Sequence, residues 1–259
     1  MRSIDLNCDM GESFGAYSIG FDADVMASIS SANVACGFHG GDPAVMRRTV
    51  RMARTAGVSI GAHPGLPDLA GFGRREMQVS AADVETMVLY QIGALAAIAR
   101  GEGARLRHVK AHGALYNMAA RDRSLADAIA RAVHSFDPSL ILFGLPHSEL
   151  LRAGEAAGLR VAAEGFADRS YEADGALTPR SRPGSIIHDP EAVVERAVRM
   201  AVEGWVPASD GTAVPMRIET ICIHGDTPGA DILTRLLRAG LERAGVKVAA
   251  PGGEVSIAD

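Results

Sequence analysis

The sequence predicts an α/β fold, a parallel (β/α) barrel formed as one domain over 1–259. Three observations point to it. The 259 residues match the length of about 250 that such a barrel takes. Strand and helix signals alternate from end to end without a linker, a low-complexity tract or a fixed-period repeat, as in successive parallel βα units. Five short apolar runs end on His39, His63, His112, His147 and His224, each beside glycine, acid, proline or lysine. Titratable groups at the same end of several strands mark the face where a barrel gathers its loops.

The strands are expected at 2–8, 32–38, 58–62, 106–111, 139–145, 160–165 and 218–224, with 246–249 as a candidate eighth. In the first, side-chain alternation puts Asp5, Asn7 and Asp9 on one face and Ile4, Leu6 and Cys8 on the other. The apolar face suits surrounding helices, so the polar face points into the barrel. The first clear helix opens at Asp42-Pro43, an N-cap acid before an N1 proline, with Val45, Met46, Val50 and Ala53 as its stripe. Ser80 to Asp83 resembles a capping box, followed by Val84, Met87, Val88, Ile92 and Leu95. Asp189-Pro190 opens a helix with Val193, Val194, Ala197, Val198 and Ala201 inward. Thr227-Pro228 opens the last, with Ile232, Leu233, Leu236, Leu237 and Leu241 inward and Gly245 as its stop. Two segments fall outside the alternation, 65–75 and 168–188. Loops of this kind inside a compact domain serve as lids or binding loops.

Composition narrows the partners. Hydrophobic residues make up 47% and charged residues 22%, the balance of a globular protein with a substantial core. A net charge of −5, dispersed arginines and 5% aromatics leave no nucleic-acid footprint. Met1 to Cys8 enters a strand directly, so no signal peptide is expected. The apolar stretch Ile92 to Ala99 is shorter than the ~20 residues a bilayer requires, so no membrane partner is expected. Cys8, Cys36 and Cys222 lie in expected strands and read as reduced packing thiols in the cytoplasm.

An inward polar face demands partners, since unpaired buried charge costs several kcal/mol. His108, Lys110 and His112 alternate on one face, as do His224 and Asp226 if the strand continues, and Glu12 follows Asp9 by three residues. One such histidine taken alone reads as a hydrogen-bonded core residue. The whole set at one rim reads as an acid–base site. An acid of the first strand with His39 and His63 would offer a carboxylate and two imidazoles to Zn, Mn or Fe. There is no HExxH, CxxC or tight H-x-H pair, and neither a G-x-x-x-x-G-K-[ST] nor a G-x-G-x-x-G phosphate loop. Gly71-Phe-Gly-Arg74-Arg75 supplies glycine amides and two guanidinium groups that could hold an anion or lie in solvent.

Six motifs run through the chain: Asp5-Leu-Asn-Cys-Asp-Met-Gly-Glu12, Ser31-Ala-Asn-Val-Ala-Cys-Gly-Phe-His-Gly-Gly-Asp-Pro43, Gly61-Ala-His-Pro-Gly-Leu-Pro-Asp-Leu-Ala-Gly-Phe-Gly-Arg-Arg75, His108-Val-Lys-Ala-His-Gly-Ala-Leu-Tyr-Asn117, Glu164-Gly-Phe-Ala-Asp-Arg169 and Cys222-Ile-His-Gly-Asp-Thr-Pro228. On these the chain resembles the LamB/YcsF family, the A subunit of prokaryotic 5-oxoprolinase. It departs from the usual pattern at Gly40, Leu66, Ala111 and Gly165, none of which removes a titratable group.

The resemblance implies a distorted TIM-like barrel of seven parallel strands, similar to the glycoside hydrolase/deacetylase superfamily. It implies opening of 5-oxoproline to glutamate with ATP, and Mg, as co-substrate and with subunits B and C as partners. Asp9 or Glu12, with His39 and His63, would act on water or the amide proton. Lys110 and His112 would stabilise oxyanion charge. Arg169 with Arg74 or Arg75 would hold a carboxylate or phosphate. Asn7 joins the binding set, and Glu164, Asp168, His224 and Asp226 would orient these groups. His147 and His188 stay outside the site, and His134 lies on a helix surface. A catalytic transition metal on Asp9, His39 and His63 is the less favoured option, and self-association into a homo-oligomer is open. Two other readings fit the residues: a metal-dependent amide hydrolase of deacetylase type, and a non-catalytic small-molecule-binding subunit.

Overall fold

One edge of the sheet meets the other, and a ring of seven parallel strands results. The computed structural model describes residues 2–224 and 229–252. In chain order the elements are β1 (Arg2–Met10), α1 (Asp22–Met26), β2 (Ser31–Ala35), α2 (Pro43–Ala56), β3 (Ser59–His63), α3 (Ala81–Gly101), β4 (Leu106–Lys110), α4 (Gly113–Arg121), α5 (Arg123–Phe136), β5 (Ile141–Gly144), α6 (Glu149–Ala156), β6 (Arg160–Phe166), α7 (Pro190–Val202), β7 (Trp205–Pro207), β8 (Ala213–Pro215), β9 (Thr220–His224), α8 (Ala230–Arg243) and β10 (Val246–Val248). The ring runs β1-β2-β3-β4-β5-β6-β9 and closes because β9 pairs with both β6 and β1, Thr220 standing opposite Glu164 and Asp5.

The candidate eighth strand forms but does not join the ring. β10 pairs with β1 at Arg2 to Ile4, and β9 takes over the same edge from Asp5 onward. β7 and β8 make a small antiparallel hairpin between β6 and β9 that the periodicity does not announce. The expected strand 32–38 ends at Ala35, and Gly37 turns the chain with φ 97°.

The period-2 pattern sorts the strands as the sequence predicts. Leu6, Cys8 and Met10 of β1 face outward into the core shared with the helices, as do Val34, Val109, Leu142 and Ile221. Inside, Ser30 and Ser31 hydroxyls donate to Asp5 Oδ1 at 2.6 and 2.7 Å, and the Thr220 hydroxyl donates to Oδ2 at 2.6 Å. One layer up, Asn7 Nδ2 donates to Glu164 Oε1 at 2.9 Å and to Thr220 Oγ1 at 2.6 Å. Beside this network a small apolar cluster of Ile141, Phe143 and Ala162 fills the β5–β6 side. The barrel interior is therefore a hydrogen-bonded polar column with one apolar flank, and the main apolar core lies outside it.

The helices start where their caps put them. Asp42 accepts from the Ala44 and Val45 amides at the head of α2, Ser80 accepts from Asp83 at α3, and Asp189 accepts from Glu191 at α7. In α2, Val45, Met46, Val50 and Ala53 are buried. Burying each of the larger ones contributes about 1.5–3 kcal/mol. α8 departs from expectation: Ala230, Thr234, Leu237 and Leu241 face inward, while Ile232 and Leu236 lie on its flank, 53% and 41% exposed. The inward stripe of a 3.6-residue helix runs 230, 234, 237, 241, and residues 232 and 236 fall outside it. Thr227 and Pro228, read as its opening, lie outside the described residues. α3 is 21 residues and contains an 18-residue window of mean hydropathy 1.3, long and apolar enough by length and composition to cross a membrane, whereas the stretch Ile92 to Ala99 is too short to do so. Val84, Val88, Ile92 and Leu95 bury one side of it, while Leu89 and Tyr90 face out.

Candidate active site

The C-terminal ends of β1, β3 and β4 bring Asp9, His63 and Lys110 to one point, on the floor of a cavity of about 710 Å³. Lys110 is fully enclosed by acceptors. Its Nζ donates to Asp9 Oδ1 and Cys222 Sγ, both at 2.9 Å, and to Asn7 Oδ1 at 3.3 Å, with Glu164 Oε1 at 3.0 Å. The Phe166 ring covers it, with the nitrogen 5.4 Å from the centroid. Burial disfavours the charged ammonium, but Asp9, Cys222 and Glu164 outweigh burial and hold its pKa well above the ordinary lysine value. Lys110 is thus a fixed positive charge. Behind it, Asn33 Nδ2 donates to Asp9 Oδ1 at 2.9 Å and to Asn7 Oδ1 at 2.6 Å. His108 Nε2 lies 2.7 Å from Asn33 Oδ1, an acceptor, so that nitrogen carries the proton. Burial, and then Lys110 and His63, push the His108 pKa down to about 3, which makes it a neutral strut.

With Asp9 Oδ1 taken up by Lys110 and Asn33, its Oδ2 faces a histidine cluster, 3.3 Å from His63 Nε2. His63 Nδ1 is 2.7 Å from the Lys110 backbone carbonyl and His112 Nε2 is 2.8 Å from that of Phe72. Phe72 and Gly73 both adopt left-handed backbone, φ 55° and 62°, which turns that carbonyl toward His112. His112 occupies the N-cap position of α4 without making a capping bond, because its ring is engaged with His63, 2.9 Å away through Nδ1. His39 stacks on His112 at 3.7 Å and edges toward His63. Glu12 Oε1 faces both, 3.3 Å from His39 Nε2 and 3.5 Å from His112 Nδ1. Burial holds His39 and His112 well below the ordinary imidazole value, with the neighbouring histidines adding to the effect.

Each of Glu12, His39, His63 and His112 offers one donor atom, and these atoms lie within 4.8 Å of one another. The group could hold a metal ion. It differs from the expected Asp9, His39 and His63 set: Glu12 and His112 join it, and Asp9 is not part of it. Gln91, buried on α3, accepts from the Gly65 amide and donates to the Gly65 carbonyl, both at 2.9 Å, and so fixes the loop behind the cluster.

Across the cavity stands the long segment after β6. Arg169 is buried and donates to the Ser185 and Thr178 carbonyls at 3.1 and 2.7 Å. Burial, then nearby Arg180 and Arg74, lower its pKa to about 10. Arg196 of α7 anchors the same segment by donating to the carbonyls of Ala167, Arg169 and Pro207. Arg74 lines the cavity and lies over the Phe72 ring. Arg75 turns away, pairs with Asp68 and keeps a mostly exposed side chain, so only one of the two expected guanidinium groups faces the site. Asp168 is buried beside Arg169, whose charge it favours, and does not line the cavity. The side chain of His224 and all of Asp226 lie outside the described residues.

Several wall residues lie outside the expected set, His147, Arg180 and Tyr116 among them. His147, read as outside the site, lines the cavity with φ 62°. Arg180 stands on the far wall, its only signal being its place in a long loop. Tyr116 also lines the cavity, and burial with the Glu164 carboxylate pushes its phenol well above the ordinary value. Its i, i+4 spacing from His112 was the available signal. His188 and His134 are both exposed.

Comparison with known proteins locates this arrangement. Residues 4–255 match the LamB/YcsF family. A relative from Symbiobacterium thermophilum, named as the A subunit of 5-oxoprolinase, is 58% identical over 254 residues, 98% of this chain and 97% of the relative. The crystal structure of a lactam utilization protein from Thermus thermophilus superposes with a TM-score of 0.91 at 52% identity, covering 96% of this chain and 99% of that one. A family 4 carbohydrate esterase from Streptomyces lividans shares the fold alone, with a TM-score of 0.51 at 12% identity and coverage of 98% and 97%. With the match spanning nearly all of its length and a majority of its residues shared with such a relative, the chain belongs to the LamB/YcsF family.

Proposed function

We propose that this chain is the lactam-opening subunit of an ATP-dependent 5-oxoprolinase, hydrolysing 5-oxo-L-proline to L-glutamate together with partner subunits B and C. The observation that carries the reading is Lys110, a buried cation held between Asp9 and Glu164 on the floor of a cavity walled by arginines. A five-membered lactam is a stable amide whose opening builds negative charge on the carbonyl oxygen. A pre-set ammonium in a dry site stabilises that charge without reorganising. Asp9 Oδ2 faces the histidine cluster and would take the proton of a water held there. Arg169, Arg74 and Arg180 would receive the substrate carboxylate or a phosphoryl group.

ATP enters through the chemistry of the leaving group: transfer of its terminal phosphoryl to the lactam oxygen turns a poor leaving group into a good one. Since no glycine-rich phosphate loop is present in the sequence, the partner subunits would hold the nucleotide. Relatives whose names make them one subunit of 5-oxoprolinase support an assembly of this kind. The three buried free cysteines fit a reducing cytoplasm.

The test is reconstitution. The chain, purified with subunits B and C, is assayed for ADP and glutamate formation from 5-oxoproline, with each component omitted in turn. Turnover that needs all three chains and ATP supports the proposal. Glutamate release by this chain alone without nucleotide overturns the ATP coupling, and full turnover by the complex carrying Lys110→Ala reduces the site to binding.

A further inference from the structure

Two imidazoles point their inner nitrogens at one another. A carbonyl oxygen only accepts, so the proton of His63 sits on Nδ1, facing the Lys110 carbonyl, and that of His112 on Nε2, facing Phe72. Their remaining nitrogens, His63 Nε2 and His112 Nδ1, are lone pairs 2.9 Å apart. Both also face carboxylate oxygen, Asp9 Oδ2 at 3.3 Å and Glu12 Oε1 at 3.5 Å. His39 is fully buried, its Nε2 is 3.3 Å from the same Glu12 oxygen, and neither of its ring nitrogens makes a hydrogen bond among the described residues. Ring nitrogens and carboxylate oxygens of five side chains converge on one point. Such a point is repulsive unless something positive occupies it.

We propose that Glu12, His39, His63 and His112 bind one divalent first-row transition-metal cation. Three imidazoles and a carboxylate are a donor set that suits zinc, iron(II), cobalt or manganese. With bonds near 2.1 Å, the donors of a four-coordinate ion stand roughly 3.4 Å apart. The contacts of 2.9, 3.3 and 3.5 Å match that scale. A ligating histidine commonly gives its other N–H to a carbonyl, which fixes its tautomer, and His63 and His112 both do so. The cavity reaches His63, His112 and Asp9 but not Glu12 or His39, so an open coordination position would face the ligand space with Asp9 beside it. The competing occupant is a proton shared between His63 and His112. A single proton there would engage only His63 and His112 and would leave both ring nitrogens of His39 without a hydrogen bond among the described residues.

Binding of the ion does not depend on the lactam reading. A chain that takes the ion and leaves 5-oxoproline untouched keeps this inference and removes the other. The test uses the full chain stripped with a chelator, titrated with Zn²⁺ by calorimetry and with Co²⁺ by visible absorption. One ion per chain and intense cobalt bands of a low-coordinate nitrogen–oxygen site are expected. His63→Ala and His112→Ala weaken Zn²⁺ binding at least about tenfold, while His134→Ala, on the exposed face of α5, leaves it unchanged. Should the histidine variants fail to fold, Glu12→Gln, which keeps the shape of the side chain, carries the same expectation. Absence of binding to the unaltered chain, the weak spectrum of hydrated cobalt, or an affinity indifferent to every folded variant of the set overturns the proposal.

Discussion

His63 and His112 meet nitrogen to nitrogen at 2.9 Å, with their outer nitrogens held by the carbonyls of Lys110 and Phe72. The two residues come from different supports, the end of β3 and the head of α4, so the contact measures how accurately the barrel rim and the 65–75 loop are assembled. Lys110 contributes twice, by its side chain to the charge of the floor and by its carbonyl to the tautomer of His63. Site and scaffold therefore share residues, and the following outcomes are expected from that sharing.

Replacing Lys110 with methionine leaves Asp9 and Glu164 buried around an uncharged chain. Breaking a buried ion pair from one side costs about 3–5 kcal/mol, and a chain of this size loses roughly 2–4 °C of Tm per kcal/mol. Calorimetric melting at neutral pH should show a drop of that combined size. Lys110→Met with an unaltered Tm would mean that the carboxylates are relieved in another way.

Asp5 gives a pH signature. Burial, only partly offset by its hydroxyl donors, raises its pKa from 3.8 to about 6. The folded chain then retains this proton over a window in which the unfolded chain has lost it. Its contribution to stability is complete below pH 3.8 and is lost as pH rises through about 6. A shift of this size corresponds to roughly 3 kcal/mol. Asp5→Asn removes the titration, so a plot of Tm against pH should fall less steeply for the variant than for the unaltered chain across that window. Parallel curves would contradict the assignment.

Gln91→Leu keeps the volume on the buried face of α3 but strips the Gly65 amide and carbonyl of their partners. Each buried group left unsatisfied costs about 1–3 kcal/mol. Because this loop backs His39, Zn²⁺ affinity should fall together with Tm. A loss of stability with undiminished affinity would separate the loop from the cluster.

Gly73→Ala tests the crowding around the imidazoles. Gly73 has φ 62°, and a Cβ there would stand 2.7 Å from His39 Cβ and 2.9 Å from His112 Cδ2. Gly15 has a similar φ of 55° and nothing within 4 Å. Alanine at either position carries the left-handed penalty of roughly 1–2 kcal/mol, and only at Gly73 must the rings also move. Urea melts of the pair should place Gly73→Ala clearly below Gly15→Ala; equal values would show that the rings yield without cost.

Much of the fold is legible in the sequence because it rests on short-range rules. Alternation of Asp5, Asn7 and Asp9 is enough to orient β1, and Asp42-Pro43 and Asp189-Pro190 are enough to start α2 and α7. The hairpin of β7 and β8 is not legible, since two strands of three residues carry too little alternation to register. Convergence of Asp9, His39, His63, Lys110 and His112 follows from their places at strand ends. Their pairing does not, because it depends on backbone carbonyls presented by Phe72 and Lys110. Arg74 and Arg75 are adjacent, and only the left-handed turn at Phe72 and Gly73 decides which one faces the cavity. Gln91 and Arg196 each interrupt an apolar helix face, and nothing local states that Gly65 or the carbonyls of Ala167, Arg169 and Pro207 will meet them.

The cavity wall formed by residues 174–181 hangs from the arginines at 169 and 196, whereas the floor is woven into the strands. The two halves can thus change at different rates under selection. Remodelling the suspended half would retune what the cavity admits, while the machinery beneath stays untouched; a new appetite would arise here by tailoring rather than by reinvention.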